Sequence, residues 1–337
     1  MENDIRCDII IPTYNGSSHL PNLLRSIEKQ SFQSFNCFVI DDNSSDNTVD
    51  ILGEDFSWVH VIKQSENMGP SHNRNVAIQA GDSPYIVIFD DDTYLDDTEW
   101  LERAIIFMEA NHDVGQLAAM IVNGFEPEII LDCGIVQNWY LFGGTFYNIR
   151  VDDTQGRHEK GRVVLGACSA GTVLRRELFN TIGGFDAKYY YPVEDTDLSL
   201  RIHVAGYKVW YEPSLKVFHY ESQAMGKSLD RKMYLYRRNC LLVLIENYPV
   251  PHVCGMYWAM LSREVVKPTL KYMFNVLTGR NKEPFPSSIK HYLKALMFLF
   301  GKIPQIMKKR SDSERFRKHP RKYLVQVNRA LIKDLAG

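Results

Sequence analysis

The stretch YIVIFDDDT, residues 85–93, joins an apolar run to three consecutive acids. Its first five residues are apolar or aromatic β-formers, which is typical of a strand buried on both faces of a parallel sheet. The strand runs directly into Asp90, Asp91 and Asp92. Like charges this close repel one another unless water or a cation screens them. Because a helix cap needs one carboxylate rather than three, the run predicts a divalent metal held by carboxylate oxygens.

The segments on either side of this stretch alternate between strand and helix patterns. Apolar strands are predicted at residues 7–15, 36–41, 58–63 and 85–89, with amphipathic helical patterns between them. Such alternation indicates right-handed βαβ units and a parallel sheet covered by helices on both faces. In sheets of this kind ligands bind at the carboxyl ends of the strands. The sequence therefore predicts an α/β fold with its site along that edge.

Polar residues follow each of the four predicted strands. They occupy residues 13–15, 41–42, 67–75 and 90–92. Taken singly, a residue such as Asn15 is more typical of a helix cap or a turn than of a binding site. Four polar segments that lie at one edge of a sheet nevertheless indicate a binding site there.

Composition limits the class of protein. The chain has 337 residues, is 45% hydrophobic and 24% charged, and carries a formal net charge of −2, which argues against a basic nucleic-acid-binding protein. The six cysteines lack zinc-site spacing and are predicted to be reduced packing groups. The N-terminal sequence MENDIRCD is polar and acidic, unlike a signal peptide, and no apolar run reaches the roughly 18 residues of a membrane span. A soluble or peripheral cytoplasmic protein is expected.

Several competing motifs are absent from the sequence. No G-x-G-x-x-G follows a strand, and neither a G-x-x-x-x-G-K-[ST] loop nor a G-x-S-x-G elbow occurs. An EF-hand beginning at Asp41 would place Asp46 where glycine is needed and Leu52 where glutamate is needed. Dinucleotide, P-loop, calcium-loop and α/β-hydrolase sites are therefore disfavoured.

A second acidic pair, Glu194 and Asp195, lies where the helical pattern DTDLSLRIHVAGY begins, so Asp195 is at the N-terminus of the predicted helix. The free N–H groups and the dipole at a helix N-terminus favour an ionised carboxylate, which is the state that a general base requires. An ordinary N-cap followed by a first-turn acid is the alternative interpretation. His219 ends the predicted strand LKVFH, where a packed or solvated histidine is the more common finding. The small residues 166–171 are typical either of a ligand pocket or of a tight bulge in a sheet.

The order of these motifs resembles a known family. IIIPTYNG, VIDDNSSDNT, NMGPSHNRNVAI and IVIFDDDT resemble the nucleotide-sugar-binding half of inverting family-two glycosyltransferases of the GT-A fold. The stretch from GACSAGTVLRRELF to YEPSLKVFHYES resembles their acceptor half. YLYRRNCLLVLIENYP is similar to bacterial rhamnosyltransferase-like and galactofuranosyltransferase-like enzymes that build surface polysaccharides. The resemblance covers roughly residues 5–250, and it implies a Rossmann-like central mixed sheet flanked by helices, with a C-terminal helical extension.

The resemblance implies a role for each matching residue. Asp90 and Asp92 match the D-x-D motif and, with His219, would bind Mn²⁺ or Mg²⁺. Asp42 would accept from a pyrimidine N–H, and Arg74 would lie near the base or phosphate, although a surface helix arginine is its alternative. The implied nucleotide-sugar-binding residues are Pro12, Thr13, Tyr14, Asp42, Gly69, Arg74, Asp90 and Asp91.

The resemblance also implies the reacting groups and the reaction. Asp195 matches the catalytic base, and Ala170, Gly171 and Glu194 would line the acceptor or donor-sugar pocket. The implied activity is metal-dependent, inverting transfer from a UDP- or dTDP-sugar to a glycan or lipid-linked glycan. A catalytically silent nucleotide- or glycan-binding scaffold is the alternative, and a nucleotidyltransferase is disfavoured because no lysine- and glycine-rich loop follows the first strand.

Three regions are predicted from these patterns. They are a nucleotide-sugar-binding half at 1–110, an acceptor-binding half at 111–228 and a helical, basic region at 229–337. The segment 302–322 contains nine basic residues and only two acids, and it directly follows the apolar stretch 293–300. This asymmetry is typical either of a solvated tail or of a peripheral anchor on an anionic membrane. The second interpretation would place the protein at the inner face of the cell membrane.

Overall fold

The computed structural model describes residues 5–138, 145–148, 151–152, 158–220, 229–278 and 287–336. Thirteen strands lie in the described residues: β1 (Cys7–Thr13), β2 (Phe35–Asp41), β3 (His60–Lys63), β4 (Tyr85–Phe89), β5 (Thr93–Tyr94), β6 (Val114–Asn123), β7 (Ile129–Asp132), β8 (Ile135–Asn138), β9 (Thr145–Asn148), β10 (Val151–Asp152), β11 (Arg162–Val163), β12 (Gly171–Arg175) and β13 (Lys208–His219). The α-helices of the same part of the chain are α1 (Leu20–Glu28), α2 (Thr48–Asp55), α3 (Pro70–Ala80), α4 (Trp100–Ala110), α5 (Arg176–Ile182), α6 (Glu194–Val204), α7 (Leu229–Asn247), α8 (Val250–Leu261), α9 (Lys267–Leu277), α10 (Ser287–Asp312) and α11 (Lys322–Ala336).

A single mixed sheet organises the first two thirds of the chain. Its main path runs β10-β7-β6-β12-β4-β1-β2-β3, and β13 pairs in parallel with β6. β1, β2, β3 and β4 are parallel, as the alternating pattern predicted, whereas β12 lies antiparallel between β4 and β6. The mixed sheet confirms the predicted fold class. Because β6 and β12 belong to the same sheet as β4, the predicted halves at 1–110 and 111–228 share one framework; the boundaries themselves stay predictions.

The strands are apolar on both sides because each face of the sheet is covered. In β1 the side chains of Ile9 and Ile11 enter one buried cluster, which includes Trp100 of α4. Ile10, which points the other way, enters a second cluster with Ile78 of α3. This alternation follows from the two-residue period of a strand. All three isoleucines of β1 are fully buried, and burying each contributes roughly 1.5–3 kcal/mol.

The first strand ends two residues earlier than predicted. β1 stops at Thr13, and Asn15 adopts a φ of 55° in the turn that follows. The Asn15 side chain accepts a hydrogen bond from Ser45 N at 2.8 Å, and Asn15 N donates to Ser44 Oγ at 2.8 Å. Asn15 is therefore a turn residue that ties the loop after β1 to the loop after β2.

The C-terminal third of the described chain is helical, as predicted. α7 packs against α6 and α10, and α11 also packs against α6. α8 continues through a π-helical turn, Ser262–Val266, directly into α9. Of the helices that the structure describes, none combines the length and hydropathy of a membrane span.

Candidate active site

The ends of β1, β2 and β4 meet, as the sequence predicted. We call this edge the donor rim and define it by Thr13, Asp42 and Asp90–Asp92. Asp42 N donates to the carbonyl oxygen of Thr13 at 2.9 Å. Thr13 Oγ1 donates to Asp91 Oδ2 at 2.6 Å. The strand ends are thus joined directly, through one backbone and one side-chain hydrogen bond.

Asp42 is held by the loop that opens α3. Its two carboxylate oxygens accept hydrogen bonds from Met68 N at 2.7 Å and Gly69 N at 2.9 Å. Gly69 has a φ of 81°, and a Cβ placed there would lie 2.5 Å from the ring of Tyr190. Glycine is therefore required at this position both by backbone conformation and by the close approach of Tyr190. The loop fixes the orientation of the Asp42 carboxylate; a contact with a nucleotide base stays a prediction.

Arg74 joins the donor rim to the second half of the sheet. Its Nη2 lies 2.8 Å from Asp90 Oδ1, and its Nη1 lies 2.8 Å from Glu194 Oε1. The side chain is 4% exposed, so the alternative of a surface arginine is wrong. Burial opposes the charge, but Asp90 and Glu194 outweigh it and raise the pKa of Arg74 above its ordinary value. Arg74 is thus a buried cation shared by two carboxylates from different predicted halves.

The three acids after β4 have different partners. Asp90 pairs with Arg74, Asp91 accepts from Thr13, and Asp92 Oδ1 lies 2.9 Å from His219 Nε2. Burial, together with the charges of its two neighbours, raises the pKa of Asp91 to about 7 even though Thr13 donates to it. Within the ranges that the structure describes, no three His, Cys, Asp or Glu side chains converge as a complete metal site. Of the predicted ligands, Asp92 and His219 therefore lie together, while Asp90 lies against Arg74.

The position of His219 follows from strand pairing. His219 is the last residue of β13, and it faces Thr93 of β5 in an antiparallel register. The two-residue strand β5 starts directly after the acidic run. The short β5–β13 pair therefore brings the histidine to the acids across 127 residues of sequence, a proximity that no local pattern predicts.

Glu194 and Asp195 form the first turn of α6, as predicted. Asp195 Oδ1 accepts from Thr196 N at 2.6 Å. The residue before the helix, Val193, has a φ of 84°. This left-handed conformation is rare for a β-branched side chain and indicates local strain held by the surrounding structure.

The protonation of this pair departs from the simple helix-dipole expectation. Burial raises the pKa of Asp195 to about 6, although the backbone N–H of Thr196 and the Arg74 charge favour its ionised form. Burial and the neighbouring Asp195 charge also raise the pKa of Glu194, against the effect of Arg74. Two close carboxylates in a buried site share this upward shift. The raised pKa of Asp195 lies closer to neutral pH than that of an ordinary aspartate, which is the direction that favours a general base.

The buried polar atoms that have no hydrogen-bond partner among the described residues include Glu194 Oε2, Arg74 Nε and Ser169 Oγ. Ser169 lies in the small-residue segment 166–171, and the Asp195 and Asp90 charges act on the neighbouring Cys168 thiol. A buried polar atom without a protein partner is costly, so such atoms are suited to a polar ligand. The sequence predicted a pocket or a bulge at residues 166–171 but did not single out Ser169.

The predicted pocket residues Ala170 and Gly171 are accounted for by packing. Ala170 is fully buried. Gly171 is the first residue of β12 and pairs with Phe89. A Cβ at Gly171 would lie 2.8 Å from a methyl carbon of Val217. The alternative of close packing in a mixed sheet therefore explains this glycine without a ligand, and a pocket role for the two residues stays a prediction.

Arg238 and Asn239 are a pair whose contacts the sequence did not predict. Both lie on α7 and are buried. Arg238 Nη2 donates to the carbonyl oxygens of Lys188 and Tyr189 at 3.0 and 2.9 Å. Asn239 Nδ2 donates to the carbonyl oxygens of Tyr189 and Pro192 at 2.9 and 2.6 Å. The pair therefore binds the loop that leads into Val193 and the first turn of α6.

A cation from the predicted basic tail, 20% exposed, lies against buried acids. Lys309 Nζ of α10 lies 2.7 Å from Asp186 Oδ2, 3.0 Å from Asp197 Oδ2 and 2.8 Å from Glu246 Oε2. Burial opposes ionisation of Asp197, but Arg201 and Lys309 outweigh it and hold the pKa of that carboxyl well below its usual range. The interpretation of residues 302–322 as a solvated tail is therefore wrong at Lys309, which is part of a buried ionic network beside α6.

The fold and the site together define a class of protein. A mixed sheet whose strand ends carry an acidic run, followed by an acidic pair at the start of a helix, is the arrangement of a GT-A glycosyltransferase. The chain belongs to glycosyl transferase family 2, whose sequence pattern matches residues 8–183. This confirms the family expected from the motifs.

Two relatives have established names. The chain is 32% identical over 126 residues to the poly(ribitol-phosphate) β-N-acetylglucosaminyltransferase TarS of Staphylococcus aureus, a match that covers 36% of this chain and 22% of that protein. It is 24% identical over 230 residues to the O-antigen biosynthesis protein RfbC of Myxococcus xanthus, covering 64% of this chain and 17% of that protein. The chain thus spans about a fifth of the length of these relatives.

A solved structure agrees with the fold. The mannosyltransferase PcManGT of Pyrobaculum calidifontis, determined with GDP-Man and Mn²⁺, superposes with a TM-score of 0.55. The identity is 16%, and the match covers 92% of this chain and 85% of the mannosyltransferase. At this identity the likeness establishes the GT-A fold.

Proposed function

We propose that the chain is a divalent-metal-dependent, inverting glycosyltransferase that uses a nucleotide diphosphate sugar. The observation that carries the proposal is the bridge from Asp90 through Arg74 to Glu194, with 2.8 Å at each contact. Asp90 belongs to the donor rim, and Glu194 precedes the predicted base. One buried cation therefore sets the spacing between the proposed donor site and the proposed reacting carboxylate, which is what a single displacement requires.

The donor is proposed to bind along the donor rim. Asp42 is oriented by two backbone N–H groups, so its carboxylate is preorganised to accept from a pyrimidine base. Thr13 and Asp91 lie next to it, and Tyr14, which is 41% exposed, lies at the surface of the same edge. Pro12, Gly69 and Arg74 complete the predicted set. We infer a UDP- or dTDP-sugar, since Asp42 matches a pyrimidine-binding position.

The donor atoms around Asp92 fit a divalent cation. A carboxylate oxygen and an imidazole nitrogen lie 2.9 Å apart, and this combination suits Mn²⁺ or Mg²⁺. Asp92 and His219 would hold the ion, with Asp90 as the third predicted ligand. When bound, such an ion neutralises the charge that grows on the leaving diphosphate. The mannosyltransferase of the same fold was determined with Mn²⁺, which supports the choice of cofactor.

Asp195 is proposed to act as the general base. Its carboxylate would take the proton of an acceptor hydroxyl while that oxygen forms a bond to the anomeric carbon. The bond from the anomeric carbon to the diphosphate breaks on the opposite face, and its electron pair leaves with the diphosphate. Glu194 Oε2 and Ser169 Oγ are buried atoms suited to bind sugar hydroxyls. One displacement of this kind inverts the anomeric configuration.

The acceptor is proposed to be a glycan or lipid-linked glycan in surface polysaccharide synthesis. One relative acts on poly(ribitol-phosphate), and another takes part in O-antigen biosynthesis. The sequence after residue 230 resembles rhamnosyltransferase-like and galactofuranosyltransferase-like enzymes, so a deoxyhexose or hexose is the proposed sugar. Such an acceptor is presented at the cytoplasmic leaflet, which is where we place the protein.

Release of nucleotide diphosphate tests the proposal. The protein is incubated with UDP-, dTDP- and GDP-sugars and Mn²⁺, with and without a lipid-linked glycan acceptor, and the product anomer is assigned by NMR. We expect one donor to be consumed only when metal is present, with inversion at the anomeric carbon. A retained anomer contradicts the direct displacement. Binding of a nucleotide without turnover of any donor would instead support the silent scaffold.

A further inference from the structure

The helices after residue 250 expose an unusual amount of apolar surface. None of the residues of α9 is buried. Its positions 270, 273, 274 and 277 follow helical spacing and hold Leu270, Met273, Phe274 and Leu277, which are 60%, 53%, 56% and 83% exposed. An apolar stripe of this length is normally buried by a partner.

The same feature extends to α10, which contacts the π turn that precedes α9. One side of α10 is buried against α7 through Tyr292 and Leu299. The other side is apolar as well, with Met297 68% and Phe300 72% exposed. We define the docking face as Leu270, Met273, Phe274 and Leu277 of α9 with Met297 and Phe300 of α10.

Basic residues accompany the docking face. Between residues 250 and 312 there are eleven lysines and arginines against three acids, on a chain whose net charge is −2. Lys267 and Lys271 on α9 and Lys294 and Lys302 on α10 are all exposed. A second copy of the chain would bring these like charges together in a two-fold contact, which is unfavourable. An apolar stripe flanked by lysines instead complements an anionic lipid surface.

We propose that the docking face inserts into the headgroup region of an anionic bilayer and holds the enzyme at its surface. The face shares Met297 and Phe300 with the anchor predicted from residues 293–322 and adds α9, whereas Lys309 of that segment pairs with buried acids. It deepens the proposed function, since a surface-bound enzyme meets a lipid-linked acceptor in the plane of the membrane. Vesicle binding is measured without glycosyl transfer, so it can fail while the proposed activity stands.

Sedimentation with vesicles tests the docking face in the full-length protein. Truncation before α10 is unsuitable because it removes Lys309, so point substitutions are used. We expect binding to vesicles rich in phosphatidylglycerol, weaker binding to phosphatidylcholine, and loss of binding with added salt. Phe274→Glu and Phe300→Glu should each weaken binding at least about tenfold, because each removes one inserted ring. Ile106→Glu, at a 57% exposed position on α4, is the matched control and should bind like the wild type.

Two outcomes overturn this proposal. The first is that the intact protein ignores anionic vesicles at low ionic strength, or that Ile106→Glu weakens binding as much as Phe274→Glu. The second is that light scattering shows a dimer which Phe274→Glu converts to a monomer, without vesicle binding by either. In that case the face is an interface between two copies.

A second inference concerns the loop before α6, and it rests on separate contacts. Arg238 and Asn239 donate to carbonyl oxygens at 188, 189 and 192, and Asn239 Oδ1 accepts from Arg238 Nε at 2.9 Å. These bonds end one residue before Val193, whose φ of 84° needs support from its surroundings. Asp195 follows two residues later.

The geometry points to Arg238 and Asn239 as positioning residues for Asp195. Neither side chain has to touch a substrate for this role. By fixing the carbonyls of Tyr189 and Pro192, the pair fixes where the first turn of α6 begins. A shift of about 1 Å in a reacting group can cost about 10²-fold in rate.

Substitution of Asn239 separates positioning from stability. Asn239→Ala should lower kcat by about 10²-fold, with UDP affinity within about twofold of the wild type, because the strand ends of the donor rim are joined by their own hydrogen bonds. Arg238→Lys should retain more activity than Arg238→Met, since lysine keeps one donor for the loop. The matched control is Asn328→Ala, which removes an equally buried amide that instead bonds Gln137 N and O at 2.9 and 2.8 Å.

The control decides the interpretation. We expect both asparagine variants to lower the melting temperature, and only Asn239→Ala to lower kcat. If Asn328→Ala reduces kcat as much, or if Asn239→Ala loses UDP binding in parallel with turnover, the pair is a general stability element and the inference is wrong.

Discussion

The donor rim and the first turn of α6 are built in different ways. The donor rim is held by neighbouring strand ends, with Asp42 N on the carbonyl of Thr13 and Thr13 Oγ1 on Asp91. The first turn of α6 depends on distant helices: α7 supplies Asn239 for the preceding loop, and α10 supplies Lys309 for the acids beside it. A site made by strand ends is a property of the sheet, whereas the turn that carries the proposed base depends on α7 and α10. We therefore expect substitutions at the two places to have different signatures.

The largest effect is expected at Asp195. Asp195→Asn removes the proposed base but keeps the size and the hydrogen bond from Thr196 N, so kcat should fall by about 10²- to 10⁴-fold. Donor binding, measured by calorimetry, should be unchanged because the donor rim is intact. Equal losses of binding and turnover would show that the two regions are not separable and that Asp195 is a structural cap.

Substitution of Lys309 tests whether α10 stabilises the acids beside α6. Lys309→Met removes the cation shared by Asp197 and Glu246, which are 0% and 1% exposed and keep Arg201 and Lys188 as partners, and should cost about 2 kcal/mol of unfolding free energy. The exposed neighbour Lys308 provides the control, since Lys308→Met should change stability by less than about 0.5 kcal/mol. Denaturant unfolding measures both. Equal stability of the two variants would mean that α10 does not support α6.

At the donor rim the expected loss depends on metal. Asp92→Asn keeps the shape of the side chain but removes the charge that faces His219 at 2.9 Å. Turnover at ordinary Mn²⁺ should fall by roughly 10²-fold and recover in part at high Mn²⁺, since the loss is one of several ligands. Full turnover at ordinary Mn²⁺ would remove Asp92 from the proposed metal site.

The smallest effect is a pH dependence. Because burial raises the pKa of Asp195 to about 6 and a base acts in its deprotonated form, kcat/KM should be constant above that pH and fall about tenfold per unit below it. The residual activity of Asp195→Asn should lack this acidic limb. A limb that persists in the variant would belong to another group, with Glu194 the nearest candidate.

The contrast also explains what the sequence could predict. β1, β2, β3 and β4 were predicted because apolar runs and helical periodicity are local, and their polar ends met because parallel strands share an edge. Asp90 was predicted as a metal ligand together with Asp92, but its ion pair with Arg74 depends on α3 and α6 packing at one place. No spacing in the sequence contains that information.

The C-terminal helices are a second case in which the sequence pattern predicts the elements but not their distant contacts. Their helical and basic character was predicted, but the charge pattern alone does not distinguish Lys308, which is exposed, from Lys309, which is 20% exposed and pairs with buried acids. Arg238 and Asn239 likewise lie within an ordinary amphipathic pattern. Their side-chain N–H groups find acceptors because the carbonyl oxygens of residues 188–192 are nearby. That proximity arises from the packing of α7 against α6.

The Lys309 network has a consequence for synthesis of the chain. Asp197 and Lys309 are 112 residues apart, so at roughly 5–20 residues per second the ribosome delivers the cation many seconds after the acids. During that interval β1, β2 and β4 have already been synthesised, so the strand ends of the donor rim can come together. The acids beside α6 still lack Lys309. The first turn of α6, which carries the proposed base, therefore gains its support from α10 late in synthesis.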